Sequence, residues 1–141
     1  PLVSLLAPEP RTNRSHILPA QVDVLVGFSQ GALFATLMAA RNLYRADAPP
    51  PFRCVVLLNP PNPASLGLAA PDFFESPLGT PALVCKGELD DVVPGGPEAY
   101  GPLFASVEWE SQPDGHVPLP SDPQASEELV KKVRAFVGRY S

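Results

Sequence analysis

Three residues of this chain are of the types that together move an acyl group: a hydroxyl at Ser29, a carboxylate at Asp90 and an imidazole at His116. A serine hydroxyl is a poor nucleophile near neutral pH until a base takes its proton. Histidine is the usual base, and a carboxylate bonded to its far ring nitrogen fixes the tautomer that the base needs.

Ser29 lies in Gly27-Phe28-Ser29-Gln30-Gly31, a GxSxG pattern with the mostly apolar run 22–26 before it and Ala32 and Leu33 after it. A strand running through this pattern into an apolar helix is the setting of a nucleophile elbow. The other reading is an ordinary glycine-rich turn between strand and helix. In an elbow the backbone of Ser29 is strained so that the hydroxyl projects at the end of the sheet. Side chains at Gly27 and Gly31 are expected to collide with neighbouring backbone. The helix opening at Gln30 points free N–H groups and its positive end at an oxyanion beside Ser29, so the Gln30 N–H is the candidate oxyanion donor.

The chain has two histidines. His16 belongs to the polar segment 11–16, which reads as solvated loop, whereas His116 follows the last strand-like run, in Gly115-His116-Val117-Pro118. Three carboxylates, Glu88, Asp90 and Asp91, compete in the turn 87–94. Asp90 is preferred because it stands from Gly87 at the spacing of a GxxDxxVP turn. Asp114, beside Gly115, reads as a turn former. Serine, acid, histidine is the chain order of an α/β hydrolase. Parallel strands put the turns that follow them at one end of the sheet, so residues far apart in sequence can meet there.

The elements needed to position these groups are legible as apolar runs. Strands are expected at 23–27, near-continuously apolar and so covered on both faces, at 53–59, again almost wholly apolar, and at 81–86. Another is expected at 105–111, alternating and so wet on one face near the sheet edge. Residues 30–44 predict a helix buried on most sides, closing with Arg41 and Arg45. A short helix is expected at 97–104. A last helix is capped by Ser121 or Asp122, with Pro123 near its first position. Its apolar stripe is Leu129, Val130, Val133, Phe136, Val137 and Tyr140. Residues 1–6 predict a short strand, and 64–80 an irregular loop with a helical turn near Asp72 to Phe74. Leu66, Leu68, Phe73 and Phe74 there cap the core or line an acyl pocket. Strand alternating with helix implies an α/β fold with a mostly parallel sheet and flanking helices.

At 141 residues the chain suits a single domain over 1–141. Its net charge of −5 argues against nucleic acid as a partner. No apolar run reaches membrane-spanning length, so a cytoplasmic protein is expected. Cys54 and Cys85 fall in strand-like runs without CxxC pairing and read as buried thiols rather than as a disulfide or metal site. No metal or organic cofactor is implied.

The motifs Gly27-Phe28-Ser29-Gln30-Gly31-Ala32, Gly87-Glu88-Leu89-Asp90-Asp91-Val92-Val93-Pro94 and Gly115-His116-Val117-Pro118 resemble those of the FSH family of serine hydrolases. That family lies within the α/β-hydrolase superfamily and includes ovarian-tumour-associated hydrolases and fungal esterases. The resemblance covers about residues 20–141. It implies Ser29 as nucleophile, Asp90 as orienting acid and His116 as base, acting on small carboxylic esters or thioesters. The acyl-protein thioesterase and carboxylesterase group also carries GFSQG. It usually has a second glycine where this chain has Ala32, and usually lacks GHVP, so it ranks second. Capture of the acyl group by an alcohol or amine, an acyltransferase, is a third option.

In one respect the chain departs from the family. Members have an N-terminal strand and loop that bring the second oxyanion N–H and lie beside the nucleophile strand, and no such segment precedes Ser29 here. The hydrolase domain is therefore expected to lack its N-terminal part. The slot beside the strand at 23–27 is expected to be filled by residues 1–6, by upstream sequence or by another chain, as in a homodimer. The competing reading is a truncated hydrolase fold that binds a ligand without turnover.

Overall fold

Four strands, β1 (Val24–Phe28), β2 (Cys54–Leu58), β3 (Ala82–Gly87) and β4 (Val107–Gln112), pair in parallel in the order β1-β2-β3-β4. They belong to a computed structural model that describes residues 23–40, 52–66 and 77–140. The predicted strand at 1–6, His16, Leu68, Phe73 and Phe74 lie outside the described residues.

The register brings Phe28 opposite Leu58, Leu58 opposite Cys85, and Gly87 opposite Gln112. All four strands thus end at one rim, and the segments carrying Ser29, Asn59, Asp90 and His116 leave from it. β2 shows why its sequence is apolar throughout: every residue from Cys54 to Leu58 is buried. Alternate residues feed two cores. Val55 and Leu57 join Ala82, Val84, Tyr100 and Phe104 under helix α1 (Gln30–Ala40). Cys54, Val56, Leu58, Leu83 and Cys85 pack with Leu129 and Phe136 of helix α2 (Pro123–Gly138) on the other face. Both cysteines are free and buried. Burial raises the thiol pKa of Cys54, and burial with the nearby Glu110 raises that of Cys85 to about 11, which disfavours the reactive thiolate.

α2 starts where expected. Pro123 occupies its first turn, and Asp122 caps it by accepting from the Ala125 N–H at 2.8 Å. Asp122→Ala is expected to cost about 1 kcal/mol, read as a lower urea midpoint at unchanged slope. The 97–104 segment is a 3-10 helix, Pro97–Leu103, with Pro102 inside it.

Three expectations change. α1 buries Ala32, Leu33, Ala35, Thr36, Ala39 and Ala40, yet Phe34 is 63% and Met38 50% exposed. One turn apart, they form an outward apolar strip, so the helix is one-sided in burial though not in composition. Its predicted end at Arg41 to Arg45 lies outside the described residues. β4 does not have one wet face and one dry. Trp109 is half exposed against Gly101, while Glu108 and Glu110 pair with Arg139 and Lys132 beside α2.

β1 was expected to be covered on both faces. Among the described residues it is an edge strand, and Val26 is 61% exposed. An apolar groove of about 410 Å³, lined by Val26, Val56, Leu58, Pro118, Leu129 and Val133 among others, runs beside it toward α2. No helix among the described residues is long and apolar enough to cross a membrane.

Candidate active site

The turn from β1 into α1 is one residue long. Ser29 takes φ 52°, in the left-handed region that costs a residue with a side chain, and its N–H donates to the Leu58 carbonyl at 2.9 Å. The strain is sustained because β1, β2 and α1 all fix the segment. Gly27 is required by close approach: a Cβ there would stand 2.4 to 2.6 Å from the Gly31 oxygen and the Ala32 Cα and N. Gly31 behaves otherwise. A Cβ there would meet nothing within 4 Å, because its outward side faces open space, so the expected collision at this position does not occur. The Gln30 N–H, at the first position of α1, has no acceptor from the helix itself.

His116 reaches both other residues. Its Nε2 lies 2.8 Å from Ser29 Oγ and its Nδ1 2.8 Å from Asp90 Oδ2. An ionised carboxylate only accepts, so the ring proton sits on Nδ1 and Nε2 accepts from the Ser29 hydroxyl. Phe28 lies against the imidazole, centroids 4.9 Å apart. The three side chains predicted from the sequence are therefore hydrogen-bonded in the order serine, histidine, aspartate. Of the two competing carboxylates, Asp91 is exposed and Glu88 accepts from Ser111 at the surface. Asp114 accepts from the N–H and hydroxyl of Ser121 and so closes the histidine loop as the turn former expected there. The bonds to Ser121 hold its carboxyl below the usual range.

Asp90 is held from both sides. Oδ1 accepts from the N–H groups of Val92 (2.9 Å) and Val93 (3.2 Å), and Oδ2 from Asn59 Nδ2 (2.6 Å) and His116. Burial opposes its charge, but the hydrogen bonds from Asn59, His116, Val93 and Val92 outweigh burial and lower its pKa below the usual carboxylate value. A carboxyl depressed in the native state stabilises the fold above its unfolded pKa. It loses that contribution as pH falls through the native value. Asp90→Asn, uncharged throughout, is expected to flatten the acid side of the Tm profile from about pH 5 downward, through the ordinary carboxylate range and the lowered native value beneath it. Melting curves across that range check this, and a profile parallel to the parent's would contradict it.

Two residues that the sequence reading passed over organise the histidine loop. Gln112, buried at the end of β4, donates through Nε2 to the Gly115 carbonyl (3.0 Å) and accepts from the Asp114 N–H (2.8 Å). Asn59, read from sequence only as a strand end, is 1% exposed at φ 45°. A polar residue closing an otherwise apolar strand is the one signal that marked Asn59, and Gln112, at the end of the mixed strand β4, carried none. Among the described residues no three His, Cys, Asp or Glu side chains are grouped to hold a metal ion.

A protein-family model described as serine hydrolase (FSH1) matches residues 15–121. Among solved structures, one titled as a predicted CIB-like hydrolase from Thermoplasma acidophilum superposes with a TM-score of 0.55 at 19% identity. The match covers 84% of this chain and 50% of that one, so the chain spans about half the length of this structural relative. At that identity the likeness speaks for the fold. No curated protein matches the chain.

Proposed function

The chain belongs to the FSH1 serine hydrolase family, and from that premise we propose that it cleaves small carboxylic esters or thioesters through an acyl-enzyme on Ser29. The observation that carries this reading is the continuous hydrogen-bonded line Ser29 Oγ, His116 Nε2, His116 Nδ1, Asp90 Oδ2. As Ser29 Oγ bonds to the substrate carbonyl carbon, its proton passes to His116 Nε2 and the carbonyl oxygen becomes an oxyanion facing the Gln30 N–H. Collapse breaks the bond to the alcohol or thiol, which leaves with the proton from Nε2. Water then attacks the acyl-enzyme, giving its proton to Nε2, and the acid departs as the proton returns to Ser29. Asp90 stays ionised and holds the Nδ1 proton throughout. The step needs the neutral ring, whose Nε2 lone pair takes the serine proton.

A non-catalytic ligand-binding role is the second reading. Among the described residues β1 is an edge strand and the Gln30 N–H is the oxyanion donor identified, which favours it, since losing one such donor costs about 10² to 10³ in rate. Release of p-nitrophenol from short acyl esters, and of thiol from the matching thioesters, separates the two. Turnover above the buffer rate with either class supports hydrolysis, and none with both supports binding alone.

A further inference from the structure

We propose that Asn59 is a positioning residue, tying the aspartate loop to the histidine loop so that Asp90 Oδ2 stays aimed at His116 Nδ1. This deepens the reading above and rests on it for its catalytic meaning. The Asn59 amide donates from Nδ2 to Asp90 Oδ2 at 2.6 Å and to the Gly115 carbonyl at 3.1 Å. Both partners are acceptors, so the orientation of the amide is settled. The site is also tight. A Cβ on Gly87 would stand 2.7 Å from Asn59 Nδ2 and 2.2 Å from the Gly115 oxygen, which wedges the amide between the end of β3 and the histidine loop.

The residue is kept at a cost. Its backbone is left-handed, and among the described residues its buried Oδ1 has no hydrogen-bond partner. An unmade bond at a buried polar atom costs about 1 to 3 kcal/mol. A glycine would end β2 at this φ without either penalty, so neither cost is needed to close the strand. What glycine could not supply is the pair of donors.

Removing the amide leaves much of the surroundings held. The Gly115 carbonyl keeps Gln112 Nε2 and the Val117 N–H, and Asp90 Oδ1 keeps Val92 and Val93. Only Oδ2 loses its second restraint, so the effect is focused on the bond to His116.

Nuclear magnetic resonance of ¹⁵N-histidine protein tests this without requiring turnover. The chain has two histidines, and His16→Ala assigns the signals. Asn59→Gly, which relieves the left-handed backbone, and Asn59→Ala are each expected to speed solvent exchange of the His116 Nδ1 proton about tenfold or more. On p-nitrophenyl esters they lower kcat by a similar factor and leave KM within about twofold, because Asn59 orients another group and binds no substrate. Exchange unchanged in either folded variant overturns the role of Asn59, whatever the activity. Failure of both variants to fold overturns it too, since Asn59 would then be a folding residue. Faster exchange in the variants of a parent that hydrolyses nothing keeps the positioning role and removes the hydrolase reading.

Discussion

Ser29→Ala is expected to lower kcat/KM on p-nitrophenyl esters by about 10⁴-fold or more, with the fold intact. The reason is local. Ser29 Oγ lies 2.8 Å from His116 Nε2, and alanine removes the atom that, in the proposed mechanism, would bond to the acyl carbon. His116→Ala is expected to fall by a similar factor, because the hydroxyl then has no base. Combining the two changes should cost little more than either alone, since the groups act as a unit. The remaining rate would reflect binding and the Gln30 N–H. Additive losses, or a Ser29→Ala variant within tenfold of the parent, would contradict the assignment.

The largest expected effect on stability is at Gly27. A methyl group there would lie 2.4 to 2.6 Å from backbone atoms of Gly31 and Ala32. No side chain can rotate away to make room; α1 must move off β1. That would separate Ala32, Ala35 and Ala39 from Val55 and Leu57, which share one core. Gly27→Ala is therefore expected to cost about 3 kcal/mol or more, the upper end for overpacking, against a usual total of about 5 to 15 kcal/mol. Gly31→Ala is the matched control. It meets no atom within 4 Å and trades glycine for a better helix former, so its Tm should equal or exceed the parent's. Thermal melts of the pair decide the matter, and equal Tm values would show that the two glycines are not distinguished by packing.

The same contrast shows what could be read from the chain alone. β2, and β3 from Ala82 to Cys85, announce themselves because both their faces are buried there, so neither stretch requires a polar residue. The three site residues were legible because a parallel sheet sends the ends of its strands to one rim, and order along the chain then predicts their meeting. Gly27 and Gly31 look alike in sequence and differ only in which backbone lies opposite, which is a tertiary fact. The helix at 30–44 was expected to be buried on most sides, and the exposure of Phe34 and Met38 escaped that expectation for a related reason. An apolar helix side carries no mark of whether another element covers it. Asn59 and Gln112 hold the loops through carbonyls and a carboxylate 31 or more residues away in the case of Asn59, and within the next five residues in the case of Gln112. No spacing rule links Asn59 to partners so distant, and Gln112 resembles any polar loop residue until the loop is folded.

The central claim is that Ser29 becomes covalently acylated with His116 as its base, and a fluorophosphonate probe followed by peptide mass mapping tests it most directly. The account predicts one adduct per chain, on the peptide containing Ser29, absent from His116→Ala. An unmodified chain at high probe concentration, or an adduct on another residue that persists in His116→Ala, would contradict it.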